Sequence, residues 1–338
     1  MNKPYEAFIR ATEQDETWSL SRTPNYERAL PVDSVDAASI SPEQFHRDYV
    51  ARNRPCVLRG AVKHWPAFER WHQPAYLKSK VGDVMLSARS APTAEYVGVA
   101  DEAIRADLEV KDRAIFEDIS FHEFVDRATS SPEQLVLHSI PLNGRTGLQA
   151  LNDDVGTFSF VRNLTGSRMY PSIRAFFYRH SYTDWHYHAS DEALMTQVVG
   201  SKEVLLLPPD QASWDAMWPV LCKTGYGFGV DHKRFPKYSA IVPSRVIVGP
   251  GDALFIPTYW WHAVASIDNQ FGITVAATFK TPLHINADWR FPGTRRLARK
   301  VLPTRGGPIV LGVLLYSFVR RLVTLDFNRT RPRFTSWL

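Results

Sequence analysis

The sequence predicts a mainly β fold with flanking helices, in which short strands form a β-sandwich or a barrel. Strand-length apolar segments follow one another from residue 134 onward, with turn-forming residues between them. The chain has 338 residues, of which 44% are hydrophobic and 22% charged, so it can bury a large core. The predicted strands are 134–140, 172–178, 184–188, 194–199, 203–207, 245–248, 253–256 and 272–279.

The N-terminal part is expected to contain helices and short strands. Residues 1–40 are polar and predict an irregular arm, after which Ser41 and Gln44 have the spacing of a helix capping box. The stretch 210–244 carries Trp, Gly, Pro and Tyr without clear periodicity, so we predict a long loop with at most one helical turn. The other N-terminal elements are predicted strands over 54–60 and 84–88 and predicted helices over 74–82 and 121–128.

The C-terminal segment differs from the rest of the chain. Residues 308–319 are strongly apolar and are followed by Arg320 and Arg321, which predicts a helix over 308–323. Packing on the domain or on a second subunit, as in a homodimer, is favoured over contact with a membrane interface. We therefore expect an arm over 1–40, a domain over 41–285 and a helical extension over 286–338.

The charge of the chain bears on its binding partners, and its cysteine content bears on its cellular location. The formal net charge is only +5, and the basic excess is concentrated at the C-terminus. A nucleic-acid platform needs basic and aromatic residues side by side, and the central region has no such stripe, so no nucleic-acid partner is expected. Two cysteines and a start without an apolar signal segment predict a cytoplasmic protein.

Three histidines indicate a metal site. His186-Tyr187-His188 places two imidazoles at i and i+2, which share a face when they lie on a strand. His262 follows a Gly251-Asp252 turn, a short apolar strand and Pro257. Imidazoles in such apolar surroundings need a partner, and three neutral imidazoles can bind divalent iron, copper, nickel or zinc. We predict that His186, His188 and His262 bind a metal ion.

A series of motifs extends over roughly residues 40–285. They are Arg54-Pro-Cys-Val-Leu-Arg-Gly60, Trp65-Pro-Ala-Phe68, Trp71, Thr183-x-x-His186-Tyr-His188, Gln197-Val-Val-Gly-Ser-Lys202, Leu207-Pro-Pro-Asp-Gln211, Phe235-Pro236, Gly249-Pro-Gly-Asp252 and Ile256-Pro-x-Tyr-Trp-Trp-His262. This series resembles the cupin-like JmjC hydroxylases, a group that includes the asparaginyl hydroxylase of hypoxia-inducible factor. The resemblance implies a double-stranded β-helix (cupin or jelly-roll) barrel. It also implies Fe(II) and 2-oxoglutarate as cofactors, and hydroxylation of a protein, peptide or small-molecule substrate.

The resemblance also implies roles for individual residues. His186 and His262 match the two histidine ligands, and Lys202 and Thr183 match residues that contact the distal carboxylate of 2-oxoglutarate. Strict strand alternation would place Thr183 on the face opposite His186, so this role requires a local bend. Thr278 lies near the asparagine of the family's last strand, which makes it a further candidate for cofactor binding.

One position departs from the pattern of the resembled family. His188 stands where these proteins have an aspartate. Three outcomes stay open: an all-histidine centre like that of cupin thiol dioxygenases, a carboxylate ligand from Asp191 or Glu192, or a pocket that binds without catalysis. We expect an Fe(II)- and 2-oxoglutarate-dependent dioxygenase. The alternatives are a three-histidine oxidase or dioxygenase without 2-oxoglutarate and a non-catalytic binding module.

Overall fold

Two β-sheets dominate the computed structural model, which describes residues 19–90, 115–131, 134–161, 171–189, 191–224, 233–267 and 270–324. Predictions for the first 18 residues, for 225–232 and for the tail beyond 324 lie outside the described residues. The strands are β1 Leu30–Pro31, β2 Asp33–Asp36, β3 Cys56–Arg59, β4 Met85–Ser90, β5 Ile115–Ser120, β6 Leu135–Pro141, β7 Ile173–Arg179, β8 Tyr182–His186, β9 Asp191–Val199, β10 Lys202–Leu207, β11 Ser244–Val248, β12 Ala253–Ile256, β13 Trp261–Ser266 and β14 Phe271–Lys280.

The strand order gives the sheets a jelly-roll-like arrangement. One sheet has the order β1-β11-β10-β13-β8, and the other β2-β3-β12-β9-β14-β7-β6-β4-β5. Val204 and Val264 of the first sheet pack in one buried cluster with Met195 and Leu254 of the second. The two sheets therefore enclose a common interior, and the prediction of a mainly β fold with flanking helices is confirmed.

Helices cover the N-terminal and C-terminal sides of this core. The capping box at Ser41 is present, because its hydroxyl accepts from the Gln44 N–H while the Gln44 side chain accepts from the Ser41 N–H. The α-helices are α1 Pro42–Phe45, α2 Pro66–Arg70, α3 Pro74–Val81, α4 Phe121–Ser130, α5 Gln211–Thr224, α6 Pro236–Ser239, α7 Leu283–Asn286, α8 Pro292–Val301 and α9 Gly307–Thr324.

The prediction of a long loop over 210–244 was wrong in its first part. Residues 211–224 form α5, and buried Met217, Val220 and Leu221 lie on one face of it. Pro219 lies inside this helix, and an interior proline costs about 3 kcal/mol in helix stability, which explains why the linear pattern favoured a loop. Packing against the outer face of the smaller sheet outweighs that cost.

The N-terminal arm is more ordered than predicted over its described part. Leu30–Pro31 pairs with the start of β11, and Asp33–Asp36 pairs in parallel with β3. The Asn25 side chain donates to the backbone carbonyls of Ser239 and Ile241, at 3.2 and 2.8 Å. Edge strands of two and four residues are too short to show a periodic pattern, so the sequence predicted an irregular arm here.

The apolar C-terminal segment forms the predicted helix, α9. It packs on α7 and α8, and the Ser317 hydroxyl lies 3.3 Å from the carbonyl of His284. Its outer face exposes Leu311, Leu315 and Phe318. The helix therefore packs on its neighbouring helices, while the homodimer and the membrane contact stay predictions. Within the described ranges, the structure contains no helix both long and apolar enough to cross a membrane.

Candidate metal centre

His186 and His262 lie directly opposite each other on neighbouring strands. His186 ends β8, His262 is the second residue of β13, and the two are paired across the antiparallel ladder. Directly opposed residues of such a pair project to the same face of the sheet. Their ring centroids are 4.0 Å apart, so one ion could contact both imidazoles.

His188 completes a cluster of three imidazoles although it lies just beyond the end of β8. Its ring centroid is 5.5 Å from that of His186 and 4.8 Å from that of His262. One candidate ligand atom from each histidine can be chosen so that all three lie within 4.8 Å of one another. The predicted residues are thus brought together, with His188 held by a loop rather than by the strand.

The turn between β12 and β13 fixes the position of the His188 backbone. The His188 carbonyl accepts from the Tyr259 N–H at 2.7 Å and from the Thr258 hydroxyl at 3.1 Å. Tyr259 has a φ of 66°, a left-handed conformation that is uncommon for a side chain of this size. The neighbouring Trp260 indole N–H donates to Asn53, which lies just before β3. This turn therefore holds the third imidazole against the other two.

The hydrogen bonds of the imidazoles set their tautomers. Nδ1 of His186 lies 2.8 Å from the carbonyl of Asp184, and Nδ1 of His262 lies 3.0 Å from the carbonyl of Trp260. A carbonyl oxygen can only accept, so both Nδ1 atoms carry the proton, and each Nε2 keeps a lone pair. Backbone carbonyls orient many metal-binding histidines in this way, so the donor set suits a divalent transition metal.

Burial favours the neutral form of two of the three imidazoles, those of His188 and His262. The pKa of His262 is well below its usual value because of burial and the neighbouring imidazoles, although the Trp260 carbonyl opposes this shift. The pKa of His188 is lowered by burial, by His186 and by the Arg174 guanidinium. A neutral imidazole is the form that binds a metal ion.

Neither nearby carboxylate belongs to the histidine cluster. Among the described residues, the cluster with metal-binding geometry consists of the three histidines. Glu192 is fully buried and accepts the Thr258 N–H at 2.9 Å, and burial raises its pKa to about 8. Asp191, at the start of β9, is also buried outside the cluster. The structure thus keeps Glu192 as a structural contact of the β12–β13 turn.

Lys202 is a buried cation inside the barrel. Its side chain is 7% exposed, and its ammonium lies 4.1 Å from the centroid of the Tyr178 ring. Within the part of the chain that the structure describes, it forms no hydrogen bond or ion pair, and burial lowers its pKa to about 7. A buried ammonium without a counter-charge is costly, so this position suits an anionic ligand.

The ladder relates Lys202 to the histidines. Lys202 is paired with Ser266 and Leu206 with His262, so the lysine and the histidine are separated by four residue steps, roughly 13 Å of backbone. Thr183 is paired with Val264, between these two levels. The β8–β13 register shifts between His262 and Val264, which puts Thr183 and His186 on one face. This irregularity is the local bend that the Thr183 prediction required.

Thr278 is buried on β14, where it is paired with Ala193. Its hydroxyl donates to the carbonyl of Pro171 at 3.2 Å. The threonine therefore secures the segment that leads into β7, and its role in cofactor binding stays a prediction.

No role was predicted from the sequence for the polar residues that β7 and β9 contribute to the interior. The Gln197 side chain donates to the Tyr178 hydroxyl at 2.6 Å and accepts from the Thr274 hydroxyl at 2.8 Å. Arg174 is buried and donates to Ser139 at 3.0 Å. The alternation of Arg174, Phe176 and Tyr178 with smaller or apolar residues could have revealed this face.

Comparison with known proteins gives one family match and several distant relatives. A family model described as "Cupin-like domain" matches residues 42–283. The chain is 27% identical over 260 residues to "Lysine-specific demethylase JMJ30" of Arabidopsis thaliana, covering 73% of this chain and 55% of that protein. It therefore spans little more than half of this relative.

Two further relatives are covered more fully. "Bifunctional peptidase and (3S)-lysyl hydroxylase JMJD7" of Homo sapiens is 25% identical, with 66% of this chain and 77% of that protein aligned. "tRNA wybutosine-synthesizing protein 5" of Danio rerio is 25% identical, with 85% of this chain and 84% of that protein aligned.

Proposed function

Because the chain belongs to the cupin-like domain family, we propose that it is an Fe(II)- and 2-oxoglutarate-dependent oxygenase that hydroxylates its substrate. One observation carries this proposal: the interior that the two sheets enclose holds both a cluster of three imidazoles and the buried ammonium of Lys202. A site for a metal ion and a site for an anion are the two features that such a reaction needs.

In this proposal, His186, His188 and His262 hold Fe(II) through their imidazole nitrogens. When bound, iron and 2-oxoglutarate together supply the activation of O2 for oxidation of a C–H bond. The protein contributes ligands in a fixed orientation and an interior in which His262 and Lys202 are buried.

Charge balance supports an anionic co-substrate. Three neutral imidazoles leave the charge of a divalent ion uncompensated, whereas the more usual carboxylate ligand would offset part of it. 2-Oxoglutarate carries two carboxylates, one for the metal and one for Lys202, with Thr183 beside it. The Tyr178–Gln197–Thr274 network fixes the ring on which the Lys202 ammonium lies.

The relatives support a protein or peptide as the substrate class. Two of them are named for action on lysine, as a lysyl hydroxylase and a lysine-specific demethylase. A small-molecule substrate is the alternative within the same reaction type. We also propose a cytoplasmic location, a homodimer and three segments with limits at 1–40, 41–285 and 286–338. The family match over 42–283 supports the limits of the central domain.

Coupled measurement of succinate and O2 tests the proposed activity. The purified chain with Fe(II) and 2-oxoglutarate should form succinate as O2 is consumed, first without substrate and faster with a lysine-containing peptide library. His262→Ala should abolish this turnover, and the exposed His72→Ala should not. O2 uptake without succinate would instead indicate a three-histidine dioxygenase or oxidase, and neither product nor uptake would indicate a binding module.

A further inference from the structure

A cleft on the outer side of the smaller sheet combines aromatic and cationic side chains. It has a volume of about 380 Å³ and lies between α5 and α8. Three arginines and two tryptophans form most of its wall, and among the described residues the wall contains no carboxylate. The lining residues are Gln211, Trp214, Trp218, Pro292, Arg295, Arg296 and Arg299.

Helical spacing explains why these residues meet. Gln211, Trp214 and Trp218 lie at i, i+3 and i+7 on α5, and Arg295 and Arg299 lie at i and i+4 on α8. The two groups are about 80 residues apart in the chain. The linear sequence therefore shows no basic and aromatic stripe, although the fold builds one.

The cationic groups are ordered by the surrounding protein. The indoles of Trp214 and Trp218 stack at 4.7 Å with an interplanar angle of 9°, and the guanidinium of Arg296 lies 4.1 Å from the Trp218 ring centroid. Arg295 donates to the carbonyls of Trp289 and Arg290 and to the Gln211 side chain. Two guanidinium groups are thus held in place before any ligand binds, which lowers the entropy cost of binding.

No described residue neutralises the charge of Arg299. Arg299 is exposed and forms no ion pair or hydrogen bond within the part of the chain that the structure describes. The nearest acidic residue on α5, Asp215, is paired with Lys237 at 2.8 Å and accepts from Gln211 at 2.6 Å. Three arginines in a concave site without a carboxylate suit a phosphate group, because guanidinium groups match phosphate geometry.

We propose that this cleft binds a nucleotide unit, as a free nucleotide or as part of a single RNA strand. The arginines recognise the phosphate, while the guanidinium planes provide flat surfaces for a base and the indole edges provide apolar contacts beside it. A volume of 380 Å³ is in the range of small-molecule sites and exceeds the needs of inorganic phosphate. This proposal revises the expectation that no nucleic acid is a partner, and it does not depend on the proposed oxygenase activity.

Binding measurements on the full chain test this site. Adenosine monophosphate is titrated by calorimetry, and a labelled single-stranded oligoribonucleotide is titrated by fluorescence anisotropy. Saturable binding of either probe supports the proposal. If the oligonucleotide binds much more tightly than the mononucleotide, and its affinity decreases with salt, an RNA strand is identified as the ligand. Arg299→Gln and Arg296→Gln should each weaken binding at least about tenfold, whereas Arg305→Gln, an exposed arginine outside the cleft, should change it less than about twofold.

Three results would overturn the proposal. They are the absence of saturable binding of both probes, an equal loss in the Arg305→Gln control, and binding of inorganic phosphate or a phosphotyrosine peptide at least as tight as that of the nucleotides. Arg299→Gln alters an exposed side chain, so the test stands even if Arg296→Gln disturbs the stack on Trp218.

Discussion

His186 and His262 are paired across β8 and β13 with their ring centroids 4.0 Å apart, and each Nδ1 is held by a backbone carbonyl. The strand ladder therefore sets the positions of the two imidazoles, and the carbonyls set their tautomers. A site built on paired strands is rigid before the metal arrives, which favours binding over a site that must assemble. The third imidazole is different, because a turn holds His188 rather than a strand.

Substitution of His188 should separate metal binding from turn structure. His188→Ala should weaken Fe(II) binding at least about tenfold, because a ligand is lost while the backbone contacts to Thr258 and Tyr259 remain. His188→Asp should retain binding, because a carboxylate can also ligate Fe(II). Anaerobic equilibrium dialysis measures both, with His72→Ala as the exposed-histidine control; an unchanged affinity in His188→Ala would exclude this residue as a ligand.

Removal of the buried ammonium should abolish 2-oxoglutarate binding and stabilise the protein without ligand. Lys202→Met keeps a side chain of similar length and removes the ammonium group. Burial of this group lowers the lysine pKa to about 7, so its charged form is costly in the absence of a ligand. We expect a melting temperature at least about 2 °C higher than that of the parent chain. Calorimetric unfolding and 2-oxoglutarate titration check both effects, with the exposed Lys63→Met as control. A Lys202→Met variant that still binds 2-oxoglutarate with parental affinity would contradict the anion site.

The same pKa predicts how 2-oxoglutarate affinity depends on pH. The lysine is charged below its pKa and neutral above it, so affinity should decrease as the pH rises from about 7 to about 9. A bound carboxylate raises the pKa and moves this decrease toward higher pH. Lys202→Arg keeps the charge throughout this range, so any binding it retains should be independent of pH. Equal pH profiles for the two proteins would show that another group controls the affinity.

Glu192 should make the stability of the fold decrease as the pH rises from about 4.5 to about 8. Burial raises its pKa from the ordinary 4.5 to about 8, so the folded state binds the proton more tightly than the unfolded state. The neutral carboxyl is favoured below about pH 4.5, and its advantage is lost as the pH rises through about 8. Glu192→Gln cannot ionise and should show a smaller decrease in melting temperature from pH 6 to pH 9. An identical decrease would contradict the assigned pKa shift.

A methyl group added at Gly272 should test whether the position of the Tyr178 ring, beside Lys202, matters for 2-oxoglutarate binding. A Cβ at Gly272 would lie 2.4 Å from the Tyr178 ring, which must then shift. Gly272→Ala should weaken 2-oxoglutarate binding while Fe(II) affinity stays within about twofold, because no histidine contact changes. At Gly312 the new Cβ would lie more than 4 Å from the atoms of other described residues, apart from its chain neighbours and the backbone of its own helix, so Gly312→Ala serves as the matched control. Parallel losses of metal and 2-oxoglutarate affinity would indicate general unfolding instead.

Several strands were predictable where turn residues flank an apolar run, but β5 and β13, the strand that carries His262, were not predicted. The prediction of 253–256 coincides with β12, and those of 172–178 and 272–279 differ from β7 and β14 by one residue at either end. A strand of this kind can be recognised from neighbouring residues alone, because β-branched and aromatic residues lie between Gly and Pro. The helix at 211–224 could not be predicted in this way, since its interior proline is offset only by tertiary packing.

The candidate site was predictable where motifs define it and hidden where distant strands meet. The three histidines and Lys202 stood out because polar residues in apolar surroundings need partners. The relation of Tyr178 to Lys202 depends on which strands become neighbours, as does that of the α5 tryptophans to the α8 arginines. Such contacts between residues far apart in the chain cannot be predicted from the spacing of residues in the sequence.

The most direct test of the central claim is an anaerobic titration of the metal-free protein with Fe(II) and then with 2-oxoglutarate, followed by visible absorption. We expect a weak metal-to-ligand charge-transfer absorption band that appears only when Fe(II) and 2-oxoglutarate are both present. This band should be absent from the Lys202→Met and His262→Ala variants. Metal binding without this band, or no metal binding at all, would contradict the assignment of the three histidines and Lys202 to an Fe(II)- and 2-oxoglutarate-dependent oxygenase.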